Sequence, residues 1–324
     1  MPFARLAEVT TPTARIGLGL AAVGRPGYIN LGRERDLPAE RSVEAMRERT
    51  YEVLDEAYAR GVRYLDAARS YGRAEEFLAG WLDRRPEVRD VVVGSKWGYT
   101  YVADWRTDVE THEVKDHGVA TYERQSAESR ALLGDRLDLY QVHSVTPGSP
   151  ALTDPELQRR LARLAAEGVT VGLSTSGPAQ AAAVRAALEV TVDGEPLFRT
   201  VQSTYNLLEP SAGAALAEAH EAGRTVIVKE AVANGRLAAP EQLPEPLRRV
   251  AEETGAGPDA VALAAVLRRP WVSVVLSGAA TTAQLDSNLA AAQLRLDDEQ
   301  SAALTALAEA PKAYWRHRAE LPWS

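Results

Sequence analysis

The sequence predicts an α/β protein folded as a (β/α)8 TIM barrel, and three observations lead there. Short β-branched runs alternate with amphipathic helical patterns, and eight strand–helix units can be counted along the chain. From residue 16 to residue 291 there are 276 residues, about 34 per unit, which matches one closed barrel better than two unrelated domains. Gly17 and Gly19 lie in the first strand, but their spacing to Gly24 does not make the phosphate turn of an open doubly wound sheet, and no helix follows at once.

The first strand is IGLGL at 16–20, with a helix near 44–60. YLD at 64–66 precedes a helix near 73–82, and VVVGS at 91–95 precedes one at 121–134. LDLYQVH at 137–143 leads to a helix near 154–167, and VTVGLS at 169–174 to one near 178–189. TVQST at 200–204 is followed by a helix near 211–222, and TVIVK at 225–229, after an excursion, by one near 258–268. VSVVLSG at 272–278 ends in a helix near 282–291. Gly61, Gly168 and Gly223 each close a helical run, where a C-terminus favours a residue free to take positive φ.

Two stretches break the repeat, 97–120 and 230–257. Both leave the C-terminal ends of strands, the face on which barrels build their sites, and long loops inside compact domains are usually functional or disordered; the aromatics Trp97, Tyr99, Tyr101 and Trp105 argue against disorder in the first. An extra helix and tail follow at 298–324. The tail aromatics Tyr314, Trp315 and Trp323, with His317, either pack under the barrel helices or lie across the barrel mouth. The chain 1–324 is read as one barrel domain, with 97–120, 230–257 and 298–324 on its substrate side.

Composition narrows the function. The chain has 324 residues, 45% hydrophobic and 25% charged, as globular proteins do. A net charge of −8 argues against a nucleic-acid partner or an anionic membrane, while leaving room for a local basic pocket. With no cysteine there is no disulfide, thiolate metal site or cysteine nucleophile. The start, MPFARLAEVTTPTARIG, lacks the roughly 7–15-residue apolar run of a secretory signal. No run of about 18 apolar residues reads as a membrane span. The expected setting is the cytoplasm, with a monomer as the default state.

Four polar residues converge on one patch of the barrel mouth. Asp66 ends the second strand, Lys96 follows the third, His143 ends the fourth, and Tyr71 lies five residues past Asp66. Neighbouring strands are about 4.8 Å apart, so three adjacent strand ends fall within about 10 Å. A phenol of pKa near 10 is a poor acid at neutral pH. A nearby Lys96 ammonium favours the phenolate, and Asp66 keeps that ammonium charged and oriented. Tyr71 could then protonate a carbonyl oxygen while a hydride reaches the carbon, with His143 donating to the same oxygen. No side chain donates hydride, so a cofactor is implied.

These residues sit in segments that resemble the aldo-keto reductase family: GVRYLDAARSYGRAEEFLAGWL at 61–82, GSKWG at 94–98 and DLYQVHS at 138–144. The resemblance spans essentially 15–310. It implies reversible reduction of a small-molecule carbonyl compound by a nicotinamide cofactor without metal. Tyr71 would be the general acid, Asp66 and Lys96 would tune it, and His143 would orient the carbonyl.

The same resemblance assigns a cofactor site. Ser174 and Gln202 match residues that hold the nicotinamide carboxamide, although Thr175 stands where the family usually has Asn. LSGAATTAQLDSNL at 276–289 resembles the phosphate and adenosine segment, with Ser277, Gly278 and Ala279 near phosphate or ribose and Thr281, Gln284 and Asn288 at the adenosine end. Many members carry Arg at the Gln284 position and Lys at the Gly278 position for the 2′-phosphate, and both are absent. Gln in place of that Arg also occurs in the family, so the resemblance implies NADPH ahead of NADH. Lys229, with Glu230 beside it, stands where an aromatic residue often stacks on the nicotinamide. It either pairs with Glu230 and covers the ring with its stem, or contacts phosphate or substrate, or weakens cofactor binding.

Trp97, Trp105 and Trp315 are expected to line the substrate pocket. Two other functions compete. A Schiff-base aldolase could use Lys96 or Lys229. A non-catalytic NADPH-binding redox sensor would bind the cofactor without turnover. A metal-dependent hydrolase finds no ligand residue in the first strand, and His112 and His117 lie on a loop.

Overall fold

A computed structural model describes residues 12–239 and 243–323 of the chain. The start of the segment read as lacking a secretory signal, positions 240–242 of the excursion and Ser324 of the tail lie outside the described residues.

Eight parallel strands close a barrel: β1 Ile16–Gly19, β2 Tyr64–Asp66, β3 Val92–Trp97, β4 Leu139–Val145, β5 Thr170–Thr175, β6 Thr200–Thr204, β7 Thr225–Lys229 and β8 Val274–Ser277. Each strand pairs with its sequence neighbours, and β8 closes onto β1 through Leu18 opposite Ser277. The helices that follow the strands are α1 Val43–Ala59, α2 Ala74–Asp83, α3 Val119–Leu133, α4 Pro155–Ala166, α5 Gln180–Leu188, α6 Gly213–Glu221, α7 Pro258–Leu267 and α8 Thr282–Ala290. This is the expected alternation.

Local chemistry fixes the helix ends. Ser42 caps α1 by accepting from the Ala45 N–H. Asp154 caps α4 by accepting from Glu156 and Leu157, with Pro155 in the first turn. Gly61, Gly168 and Gly223 all take positive φ, as anticipated where those helices stop.

The barrel interior is filled by Tyr64, Val92, Leu139, Ile227, Val274 and Leu276. Tyr64 makes room for itself at glycines. A Cβ on Gly94 would meet its hydroxyl at 2.6 Å, and one on Gly17 would meet its Cδ1 at 2.7 Å. Its hydroxyl donates to Asp66 Oδ1 at 2.8 Å, so the packed interior supports the residue at the mouth.

The departures are at the mouth. β3 runs on to Trp97, so Lys96 lies within the strand rather than after it. Most of the stretch 97–120 is a hairpin, Tyr99–Tyr101 against Glu113–Lys115. The 230–257 excursion holds a turn at Ala233–Gly235 and a helix at Glu245–Thr254. Two helices, Asp298–Thr305 and Pro311–Ala319, stand where one helix was expected. The second carries Arg318 and Ala319 over the mouth, so the tail crosses it.

Candidate active site

Lys96 lies at the centre of the four predicted residues. Its ammonium donates to Asp66 Oδ2 at 2.5 Å, to the Ala67 carbonyl at 2.9 Å and to Tyr71 Oη at 3.2 Å. Strand alternation explains the aim: Ser95 faces outward to Glu75, and Lys96 therefore faces in. Lys96 is fully buried and Asp66 nearly so. The His143 ring meets the Tyr71 ring edge-on, with centroids 5.5 Å apart. Asp66, Tyr71 and His143 line one cavity of about 280 Å³.

Burial dominates the electrostatics of the two groups that face the cavity. The Tyr71 phenol is pushed well above its ordinary value, first by burial and then by Asp66, with Arg25 opposing. Lys96 meets the phenol oxygen as a donor at 3.2 Å, its own charge paired with Asp66 at 2.5 Å. His143 is held well below the ordinary imidazole range by burial, then by Lys96, Lys229 and Arg25. The free site therefore presents a protonated phenol and a neutral imidazole.

A second set of charges closes the cavity. Lys229 donates to Thr204 Oγ1 at 2.8 Å and to Glu230 at 3.3 Å, so the local ion pair is present. Arg318 from the tail grips the same carboxylate with two nitrogens, at 2.6 and 2.9 Å. These cations outweigh burial and push Glu230 down to about 2, Arg318 contributing more than Lys229. Arg25 donates to Glu113 at 3.0 Å and to the Ser70 carbonyl, under the rings of Tyr28 and Trp323.

The predicted cofactor residues divide. Gln202 lines the cavity; its amide donates to Asp66 Oδ1 at 3.0 Å, and its buried Oε1 has no partner among the described residues. The Ser174 hydroxyl is buried and accepts from the Ser144 N–H at 2.8 Å. Thr175 is turned to Ser203, at 2.7 Å. Ser277 and Gly278 line the cavity, and Gly278, Ala279, Gln284 and Asn288 line an adjoining groove. The cavity and groove share Ala22, Asn30, Val232 and Gly278, so they adjoin along one wall of the barrel mouth. Thr281 is outside that lining, since its hydroxyl caps α8. The cleft fits a nicotinamide dinucleotide on two counts: an unsatisfied amide acceptor at Gln202, and open space beside Gly278.

The three tryptophans expected in the pocket are not among its lining residues. Trp97, following the inward Lys96, packs against Tyr122 and His117. Trp105 packs on Phe77 and donates to the Arg41 carbonyl. Trp315 is buried against Tyr314. Tyr28, Tyr99 and Trp323 take their place, together with Arg25, Glu113 and Arg318. Trp323 belongs to the aromatic tail already noted, whereas no local pattern marks Arg25 or Arg318.

The model of the aldo/keto reductase family matches residues 15–309. A curated aldo-keto reductase of Strobilurus tenacellus is 27% identical, covering 92% of each chain. Among solved structures, one from Pseudomonas aeruginosa described as an aldo-keto reductase is similar at 25% identity and a TM-score of 0.61, covering 86% of this chain and 90% of that one. The holo form of an aldo-keto reductase from Bacillus halodurans shares the fold at a TM-score of 0.67 and 23% identity, covering 91% of this chain and 92% of that one.

Proposed function

The chain belongs to the aldo/keto reductase family and is an oxidoreductase; from that premise we propose that it interconverts an aldehyde or ketone and the alcohol using NADPH or NADH, with Tyr71 as general acid. The supporting observation is the buried Asp66–Lys96–Tyr71 chain, with 2.5 and 3.2 Å links, whose Asp66 and Tyr71 line a cavity together with His143.

The cofactor, when bound, supplies the hydride to the carbonyl carbon and takes it back in the reverse direction. Gln202 and Ser174 would hold its carboxamide, Ser277, Gly278 and Ala279 its phosphate or ribose, and Gln284 and Asn288 its adenosine, with Lys229 at the cavity wall. As the carbonyl oxygen gains charge, the Tyr71 Oη–H gives it a proton. The phenolate left behind keeps its hydrogen bond to the Lys96 ammonium until solvent restores the proton. The raised phenol pKa keeps that proton in place at neutral pH. Ser70 Oγ lies 3.4 Å from His143 Nδ1. With Ser70 donating there, the single proton of the neutral ring sits on Nε2 and can be donated to the same carbonyl oxygen.

Lys96, holding three acceptors as an ammonium, is unsuited to Schiff-base chemistry. Tyr71→Phe removes the proton donor with little change of volume. Reduction of an aldehyde is expected to fall by about 10²-fold or more while the dinucleotide still binds. Unchanged turnover would overturn the assignment. Carbonyl-dependent oxidation of NADPH or NADH separates an enzyme from a sensor, which would bind without turnover.

A further inference from the structure

We propose that the adenosine end of the cleft selects NADH over NADPH, reversing the order that the sequence suggests. The inference rests on the carbonyl-reductase reading, which places a nicotinamide dinucleotide along this cleft. The two cofactors differ only by a 2′-phosphate, which carries about −1.5 to −2 charge at neutral pH. A site for that group needs a cation or a set of unengaged N–H donors.

Among the described residues the groove offers no such cation, and side chains already take two of its N–H groups. No Lys or Arg among the described residues lines it, while the acidic residues Asp36 and Asp259 do. Asp259 is fixed there, accepting from Asn288 Nδ2 at 2.6 Å and from Ser287 Oγ at 2.7 Å. Arg49 reaches this loop from α1, but it donates to the Asp36 and Ala280 carbonyls and pairs with Glu52 at 3.1 Å.

The start of α8 is also engaged. Gln284 Oε1 accepts from the Ala280 N–H at 2.9 Å, and Thr281 Oγ1 accepts from the Gln284 N–H at 3.1 Å. Two amides that could face an anion are thus satisfied by side chains. Gly278, with nothing within 4 Å of a Cβ, leaves empty the place a cation could occupy. A ribose 2′-hydroxyl, by contrast, can donate to a carboxylate.

The test uses the full chain without substrate and reads the dissociation constants of NADH and NADPH from nicotinamide fluorescence. NADH is expected to bind about tenfold tighter or more at low salt, with the gap narrowing as ionic strength rises. Asp36→Asn should narrow it, and Gly278→Lys combined with Gln284→Arg should shift it toward NADPH. NADPH binding as tightly as NADH, or tighter, overturns this inference and leaves the reductase reading standing. Binding of neither dinucleotide overturns both. A preference for NADH that neither set of substitutions moves overturns its electrostatic origin.

Discussion

Burial pushes the Tyr71 phenol up and the His143 imidazole down, so both stay uncharged across the neutral range. Neither group is then expected to titrate between about pH 6.5 and 10, their ordinary values. The pH profile of kcat/KM for aldehyde reduction should show no break there from either residue; a break that disappears in His143→Gln would refute this. Asp66, Tyr71, Lys96 and His143 were legible in the sequence because strand ends on consecutive units must adjoin. The tryptophans misled because bulk says nothing about direction. The inward aim of Lys96 already turns Trp97 outward by the two-residue period of a strand. Arg25 and Arg318 were illegible because each acts on a partner far along the chain: Glu113 for one and Glu230 for the other.

Above single residues, the 97–120 stretch shows why a segment read only as a loop can be ordered. Its hairpin strands have three residues each, too short for a period to register. One of its anchors is His117, buried between Ser149 Oγ at 2.6 Å and the His143 carbonyl at 2.8 Å. Burial pushes this imidazole down to about 4. The unfolded chain, with a value near 6.5, binds more protons between pH 4 and 6.5. Stability from the neutral ring is therefore full above about pH 6.5 and is lost as pH falls toward 4, by about 3 kcal/mol. Urea midpoints at pH 7 and 4.5 should differ less in His117→Asn than in the parent chain. Equal differences would mean that the ring does not charge on unfolding.

At the scale of the whole molecule, the interior of the barrel and its mouth are mechanically one piece. Tyr64 occupies the space left by Gly17 and Gly94 and holds Asp66 from below. Gly94→Ala must displace that ring, so a loss of about 1–3 kcal/mol is expected from overpacking, along with reduced turnover. Gly19→Ala, whose Cβ would meet only the Ser277 carbonyl at an ordinary 3.5 Å, should leave the melting temperature nearly unchanged. Equal melting temperatures for the two variants would show that the interior yields freely. The barrel itself was readable because its repeat is periodic. The wall above it was not, because Arg25 and Arg318 join it from opposite ends of the barrel's strand sequence. Synthesis from the amino terminus thus lays down every strand before the last side of the chamber exists. A nascent chain with its staves complete would still hold Glu230 without its guanidinium clasp, so the chamber becomes whole only after the barrel does.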